Sequence, residues 1–377
     1  MKTFSTGFLR ILLVAAAVLA IGAHAAPRPL LTTQFPDLRS SSDRQLQRGL
    51  ESSIRGLGLA DAVHNGKLAV TVVDISDLKH PRVASLNGDE MLYAASLPKI
   101  AILLGAFVEI ERGNMTLDAE TRDTLIQMVR VSSNDAATAM LRRVGKDNLE
   151  KILVSDRFRL YDRSHNGGLW VGKEYGQAPA YHRDPLHNLS HGATTIQVAR
   201  FYYMLETGQL VNPELSRQMK EILGNPGIHH KFVKGLEDTD SKIFRKSGTW
   251  EQWHADSAIV ERDGKRYIIA ALAEDRRGGE WLSSLVKPVD AMIIPGGHGT
   301  PITRIAANDK TADGLLAPEP RESLQPRNSM LVDRDERARG FARLNISGLN
   351  LKKSEMRLLT ACARDTTLRR KAVVLCR

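Results

Sequence analysis

The amino-acid sequence predicts an α/β fold of the α+β kind, with one sheet whose two halves come from distant parts of the chain. Segments rich in Val, Ile and Thr occur in two separate groups and have the composition of β-strands. Helical patterns fill the region between the groups, so the strands must pair across it. The predicted strands are 68–75, 82–86, 242–249, 257–260 and 267–273.

The helices are predicted from the spacing of apolar residues. Over 43–57, leucines and an isoleucine recur on one helical face behind a cap at Asp43 or at Ser41 or Ser42. A second helix is predicted to start at Ser96 and to end within 109–114. Residues 156–193 show no period and are predicted to form a long irregular loop, a feature that is usually functional. The remaining predicted helices are 116–129, 131–141, 196–207 behind a Thr194 or Thr195 cap, 213–223 and 280–293.

Both ends of the chain differ in composition from the region that contains the predicted helices and strands. Residues 1–25 resemble a secretory signal, with a basic start, an apolar core at 11–21 and a small-residue cleavage site. An uncleaved anchor is the alternative interpretation. A linker is predicted over 26–42, a catalytic domain over 43–294, and a basic, partly disordered extension over 295–377. The protein is therefore expected to be exported, to the bacterial periplasm or beyond it.

Charge and cysteine content narrow the expected partners. The formal net charge is +10, and much of the excess lies in the extension. A weak contact of the extension with an anionic wall or membrane surface is predicted, and a solvated charged face is the alternative. Nucleic acid is not an expected partner outside the cytoplasm. The only two cysteines, Cys362 and Cys376, also lie in the extension. The sequence allows either a disulfide between these two cysteines or two free thiols.

A serine and a lysine one helical turn apart form the first motif. A serine hydroxyl is a poor nucleophile at neutral pH and needs a nearby base. Ser96 is followed by Lys99, and the apolar run after Lys99 would bury its ammonium and lower the lysine pKa. Taken alone, the same pattern also fits a helix-capping serine followed by a solvated lysine.

Two further motifs follow in the chain. Ser132 and Asn134 offer a hydroxyl and a carboxamide two residues apart, which could point into one cleft. On a predicted strand, the run Lys246-Ser247-Gly248-Thr249 offers an ammonium, two hydroxyls and a glycine that lets a ligand approach the backbone. Each motif alone is common, but all three in this order are specific.

The set resembles the S-x-x-K, S-D-N and K-T-G motifs of class A β-lactamases and penicillin-binding proteins. The resemblance covers about 43–294 and implies the serine β-lactamase/DD-peptidase fold, a mostly antiparallel sheet flanked by helices plus a helical subdomain. It implies that Ser96 is acylated, that Lys99 is its base or shuttles a proton to one, and that Ser132 relays a proton to the leaving nitrogen. The residues implied to bind substrate are Asn134, Lys246, Ser247, Gly248, Thr249 and, through its backbone N–H, Trp250.

The sequence departs from the class A pattern at three points. Ser133 replaces the usual aspartate of the second motif, the first two motifs are unusually close, and no E-x-x-L-N motif is found. That motif supplies the glutamate that activates the deacylating water. The nearest match is 184–188, which makes Asp184 the predicted replacement, and an Asp-Pro turn is the equal alternative. Glu174 is a weaker candidate.

No metal or cofactor is predicted. His182, His187 and His191 lie close together in sequence, but their spacing does not match a known zinc motif. Trp250 and Trp253 follow the third motif and either line the rim of the cleft or are ordinary core or surface aromatics.

The resemblance predicts a monomeric serine hydrolase similar to class A β-lactamases, which opens a small-molecule β-lactam through an acyl-enzyme on Ser96. A penicillin-binding D-alanyl-D-alanine carboxypeptidase or esterase acting on peptidoglycan peptides is the first alternative, favoured by the uncertain deacylation base. A catalytically idle protein that binds wall fragments is the second.

Overall fold

A computed structural model describes residues 35–294 of the chain. Its helices are α1 (Arg44–Gly56), α2 (Ala60–His64), α3 (Lys99–Glu111), α4 (Ala119–Arg130), α5 (Asn134–Val144), α6 (Lys146–Val154), α7 (Thr195–Glu206), α8 (Pro213–Leu223), α9 (Phe232–Gly235) and α10 (Gly278–Ile293). Its strands are β1 (Leu68–Asp74), β2 (Arg82–Leu86), β3 (Leu92–Tyr93), β4 (Tyr161–Asp162), β5 (Gly167–Gly168), β6 (Trp170–Val171), β7 (His191–Ala193), β8 (Lys242–Trp250), β9 (Trp253–Arg262) and β10 (Lys265–Glu274).

The main sheet has five strands in the order β2-β1-β10-β9-β8, and each neighbouring pair is antiparallel. The pairing of β1 with β10 joins the early and late parts of the chain, as the sequence predicts. Asp263 and Gly264 both have positive φ in the turn between β9 and β10, which is the geometry of a tight hairpin. The α+β prediction is confirmed.

Helices cover both faces of this sheet. On one face, apolar side chains of α1 and α10 pack against alternate residues of β1, β9 and β10, as the two-residue period of a strand requires. On the other face, the Thr71 hydroxyl of β1 hydrogen-bonds to that of Thr195 in α7 at 2.8 Å. Leu46, Leu50 and Ile54 of α1 are all buried, and the Asp43 carboxylate caps this helix by accepting from Leu46 N at 2.7 Å.

Helix α3 is buried along almost its whole length, from Lys99 to Glu109. A helix that is apolar on all sides belongs in the interior of a protein. It packs against α4, α5, α6 and α8, which form the helical subdomain. The N-terminal end of α3 is also where the predicted nucleophile lies, so the site is attached to the most deeply buried helix of the described range.

Some sequence predictions differ from the structure. Helix α6 was not predicted, and the region 156–193 is not wholly irregular, because strands β4 to β7 lie within it. These strands have two or three residues each, too few to show a period. Thr194 precedes α7 but makes no capping hydrogen bond with its side chain.

The domain limits stay a prediction. The signal at 1–25, most of the linker and the extension at 295–377, with Cys362 and Cys376, lie outside the described residues. Within 35–294, no helix is both long and apolar enough to cross a membrane.

Candidate active site

Ser96 lies in a tight turn at the entrance to α3. Leu97 N donates to Ala94 O at 3.0 Å and Lys99 N donates to Ser96 O at 3.2 Å, so the chain makes two successive i to i+3 turns before the helix begins. The helix therefore starts three residues later than predicted. Ala95 has φ +48°, a left-handed conformation that non-glycine residues adopt mainly where tertiary structure enforces it. This turn leaves the predicted nucleophile partly exposed, while Lys99 is buried.

The Lys99 ammonium connects the first motif to the second. Its Nζ donates to Ser132 O at 2.6 Å, to Asn134 Oδ1 at 2.8 Å and to Ser132 Oγ at 3.3 Å. Burying an ammonium is unfavourable unless its protons are hydrogen-bonded. These three oxygens offer one acceptor for each proton of the fully buried ammonium.

Ser132 lies between two lysines. The Lys246 Nζ donates to Ser132 Oγ at 2.9 Å, from the side of β8, and also to Ser247 O at 2.7 Å. A hydroxyl that accepts from two ammonium groups uses both lone pairs and has its own proton free to donate elsewhere. Ser132 also has φ +60°, which directs it into the site. All three motifs thus meet at one hydroxyl oxygen.

Ser133 has a structural task at this point. Its hydroxyl caps α5 by accepting from Ala136 N at 3.2 Å. Serine and aspartate are both good helix caps, which accounts physically for a serine where class A enzymes usually have aspartate.

Gly248 explains how β8 reaches the nucleophile. A Cβ at this position would lie 2.3 Å from Ala94 O and 2.6 Å from Ser96 N, far inside the contact distance. Only a glycine therefore lets β8 pack directly on the turn of Ser96. The pairing of β8 with β9 holds the strand in register, with Lys246 opposite Ser257 and Gly248 opposite Ala255.

Lys231 is a site residue that the sequence analysis missed. Its buried Nζ donates to Thr249 Oγ1 at 2.6 Å and to Gly248 O at 2.8 Å. These two hydrogen bonds hold the third motif in place. Lys231 also has φ +53°. It follows a pair of histidines and matches no short motif, so only its contacts reveal it. Lys99, Lys246 and Lys231 make the site strongly positive and suited to an anionic ligand.

The Lys231 segment is fixed by a buried ion pair. Arg245 Nε donates to Asp256 Oδ1 at 2.8 Å, and Phe232 N donates to the other oxygen of Asp256 at 3.1 Å. Both charged side chains are buried. The pair ties the residue after Lys231 to strands β8 and β9.

In the structure, the Asp184 carboxylate accepts hydrogen bonds from its own region of the chain. The Tyr161 hydroxyl donates to Asp184 Oδ1, and His187 N donates to Asp184 Oδ2 at 2.5 Å. The Asp184 side chain is buried. Burial and the Asp184 carboxylate raise the pKa of the Tyr161 hydroxyl. Asp184 as the base for deacylation stays a prediction, but these contacts are those of a residue that shapes a loop.

Glu174 is directed toward two basic residues. Arg142 Nη2 donates to Glu174 Oε2 at 2.6 Å and Lys146 Nζ lies 2.7 Å from Oε1. Hydrogen bonds from Arg142 and Lys146 lower the pKa of Glu174 to about 2. The next residue, Tyr175, faces the other way, with its ring centroid 4.5 Å from Lys99 Nζ.

The three histidines of this region have separate partners. His182 Nδ1 lies 2.7 Å from Glu150 Oε2, and His187 Nε2 lies 2.9 Å from Asn166 Oδ1. His191 stacks on Tyr175 with centroids 4.3 Å apart. In the range 35–294, no three His, Cys, Asp or Glu side chains form a group that could hold a metal ion.

Aromatic side chains form a row of contacts from the stacked rings of Tyr175 and His191 to the third motif. Tyr93 lies edge-on to Trp253, with ring centroids 5.6 Å apart, and 6.3 Å from the ring of His191. Trp253 pairs with Trp250 across the hairpin between β8 and β9. Trp250 and Trp253 are partly exposed, which excludes a place in the core and fits a rim or a surface position.

The close approach at Gly248 leads to a stability prediction. Gly248→Ala should lower the free energy of unfolding by about 1–3 kcal/mol, because β8 or the Ser96 turn must move away from the new methyl group. Denaturant titration measures the change. Gly279→Ala is the control, since its Cβ would meet no atom closer than 3.4 Å. Equal stability of both variants with the wild type would contradict the packing described here.

Burial of His191 leads to a pH prediction. Burial, together with Lys173, lowers the pKa of His191 to about 3. The unfolded chain then binds a proton below about pH 6.5 that the folded protein does not bind, so stability is full above pH 6.5 and falls as the pH drops toward 3. The free energy of unfolding should fall by about 2 kcal/mol from pH 7.5 to pH 5. In His191→Phe this decrease should be smaller, and an identical pH dependence would show that His191 is not its source.

Solved structures with a TM-score of 0.50 or more are similar to the chain, and two of them serve as examples. One is PBP-A, with a TM-score of 0.51 and 16% identity over 68% of this chain and 97% of that one. The other is the last common ancestor of Gram-negative bacteria β-lactamase class A, with a TM-score of 0.50 and 17% identity over 66% of this chain and 98% of that one. At such identities the likeness shows the fold alone.

The sequence was also compared with curated proteins and with family models. No curated protein matches it. The family model described as the beta-lactamase enzyme family matches residues 49–122 and 118–287, and this span includes all three motifs that meet at Ser132. The match covers more than half of the chain, so the protein belongs to the β-lactamase enzyme family.

Proposed function

We propose that the protein opens β-lactam rings by forming an ester between Ser96 Oγ and the ring carbonyl carbon. The observation that carries this proposal is the convergence of two buried lysine ammonium groups on Ser132 Oγ, at 3.3 Å for Lys99 and 2.9 Å for Lys246. A capping serine with a solvated lysine, the simpler interpretation of the first motif, does not account for a buried Lys99.

The acylation step needs one proton to move from the nucleophile to the leaving nitrogen. Lys99 must first lose one of its three ammonium protons to solvent. Ser96 Oγ then forms a bond to the carbonyl carbon as its own proton passes to the Lys99 amine. The bond from the carbonyl carbon to nitrogen then breaks, and the nitrogen takes a proton from Ser132. Lys99 returns its proton to Ser132, so the site ends with an ester on Ser96 and all other groups unchanged.

Substrate recognition rests on the positive pocket and on the backbone. Lys246, Ser247 and Thr249 would bind the substrate carboxylate, with Lys231 holding the Thr249 hydroxyl in place. Asn134 Oδ1 already accepts from Lys99, which leaves its amide N–H groups for a substrate carbonyl. The backbone N–H groups of Ser96 and Trp250 would stabilise the oxyanion, each by about 3 kcal/mol in the transition state.

A second candidate function is a penicillin-binding D-alanyl-D-alanine carboxypeptidase or esterase. The observation that favours it is that Asp184 and Glu174, the two candidate bases, both have hydrogen-bond donors away from the catalytic lysine. An ester that is not attacked quickly by water persists, and a penicillin would then remain attached. A protein that binds wall fragments without chemistry is the third reading, which labelling of Ser96 would exclude.

The setting proposed for this activity is the bacterial periplasm or the cell exterior, with the protein as a monomer. A signal at 1–25 would direct export, and the basic extension would make weak contacts with an anionic wall or membrane surface.

Covalent labelling tests the proposed function directly. When the mature protein is incubated with a penicillin, intact mass should increase by the mass of the whole penicillin, because ring opening releases no fragment. Ser96→Ala should show no adduct, since it lacks the nucleophile. Ser164→Ala, at an exposed serine, should label like the wild type. A wild-type protein that neither forms an adduct nor consumes penicillin would overturn the proposal.

The role of Asp184 is tested by its amide. Asp184→Asn should leave the lifetime of the adduct within about threefold of wild type, and should lower the free energy of unfolding by about 1–3 kcal/mol, because a buried acceptor would be replaced by a donor. Mass spectrometry measures the lifetime, and denaturant titration measures stability. Asp240→Asn, at an exposed position, should change neither. An adduct that becomes long-lived only in Asp184→Asn would instead identify Asp184 as the deacylation base.

A further inference from the structure

Tyr175 lies directly against the catalytic lysine. The centroid of its ring is 4.5 Å from Lys99 Nζ, and the ring also stacks on His191 with an interplanar angle of 26°. Tyr175 is only 6% exposed. Its backbone is tied to α5, because the Thr138 hydroxyl donates to Tyr175 O at 3.0 Å. The ring is therefore held in a defined place beside the ammonium.

The neighbouring acid points in a different direction. Lys173 pairs with Ala180 in an isolated antiparallel bridge at this point. Glu174 meets Arg142 and Lys146, while Tyr175 meets Lys99. The conformation of this segment thus places an aromatic ring, and not the Glu174 carboxylate, beside Lys99.

The stack of Tyr175 on His191 and the neighbouring contacts fix the positions of Glu174 and Tyr175. His191 Nε2 lies 3.1 Å from Lys173 O, so β7 is linked to the residue just before Glu174. Arg142 and Lys146 belong to α5 and α6, which pack against α3. The ion pairs of Glu174 and the stack of Tyr175 on His191 therefore stabilise the same arrangement from two sides.

This arrangement has a chemical consequence for an ester on Ser96. Hydrolysis needs a water molecule and a group that takes its proton. A phenol hydroxyl is a much poorer proton acceptor than a carboxylate, and its ring excludes water from the space that it fills. A glutamate in the same place could take the proton.

We propose that Tyr175 sets the lifetime of the acyl-enzyme, because its ring covers Lys99 and keeps water and a base away from that side of the ester. Tyr175 is thus a positioning residue that determines the outcome of the reaction after acylation. This inference rests on the proposed function, since it requires an ester on Ser96.

The step that the ring suppresses can be written in full. A water oxygen would form a bond to the ester carbon, one water proton would pass to a base, and the bond between the carbon and Ser96 Oγ would break. The base would then return the proton to Ser96 Oγ. In Tyr175→Glu the new carboxylate would supply that base, and no other reactant is needed.

The lifetime of the adduct in four proteins tests the inference. Each protein is labelled with a penicillin, freed of excess reagent and followed by intact mass. The four proteins are the wild type, Tyr175→Glu, Tyr175→Gln and Tyr175→Phe. Tyr175→Glu should shorten the half-life by about 100-fold, the lower end of what a positioned general base contributes. Tyr175→Phe keeps the ring and should stay within about threefold of the wild type. Tyr175→Gln has the shape of the glutamate variant without a base, so its half-life should fall between those of Tyr175→Phe and Tyr175→Glu, because loss of the ring admits water.

A pH profile separates a catalytic effect from a structural one. The fast decay of Tyr175→Glu should be lost as the pH falls below the pKa of glutamate, about 4.3, and Tyr175→Gln should show no such limb. If Tyr175→Glu forms no adduct with penicillin, Tyr175→Ala tests the inference instead. Loss of the ring admits water, so the half-life of its adduct should be shorter than that of Tyr175→Phe.

The outcomes distinguish this inference from the proposed function. A wild type that forms no adduct and consumes no penicillin overturns both. A wild-type adduct that decays within seconds with consumption of penicillin supports ring opening and overturns the role of Tyr175. A stable wild-type adduct with an equally stable one in Tyr175→Glu, or in Tyr175→Ala where the glutamate variant does not label, also overturns the role of Tyr175 and leaves the proposed function standing.

Discussion

The burial of one ammonium group organises this site. Lys99 begins the most deeply buried helix of the described range, and its charge is tolerated only because three oxygens accept its protons. Two of the three belong to Ser132, and the third is Asn134 Oδ1, so the loop before α5 must lie against α3. The positive φ of Ser132 follows from that requirement, since the residue presents both its carbonyl and its hydroxyl to the same ammonium.

A second constraint brings the sheet to this helix. Strand β8 contacts the Ser96 turn without a side chain at Gly248, and this approach carries Lys246 to Ser132 Oγ. Lys231 and the buried pair of Arg245 and Asp256 support the strand from behind. The result is a partly exposed serine beside several buried cations, which is the electrostatic setting that acyl transfer to an anionic substrate needs. The proposed acylation would depend on contacts between the sheet and the helical subdomain.

The fate of an ester on Ser96 depends on a different part of the chain. The segment between β6 and β7 contains Glu174 and Asp184, yet the first is held by basic residues of α5 and α6 and the second by Tyr161 and the backbone of its own loop. Tyr175 takes the position beside Lys99. Two proteins could therefore share all three motifs and differ in how long they keep a bound penicillin. Family membership alone does not decide between them.

The sequence by itself determined the long elements and the three motifs, because both are local. Apolar spacing predicted α1, α8 and α10, and a Val-, Ile- and Thr-rich composition predicted the strands. The order of the motifs predicted that Ser96, Lys99, Ser132 and Lys246 belong to one site. Tertiary structure decided the rest. Which of Glu174 and Tyr175 faces Lys99 depends on the conformation of an irregular segment between β6 and β7. The role of Lys231 depends on a residue with positive φ meeting a distant strand. Such choices are made by long-range contacts, and no local pattern of residues encodes them.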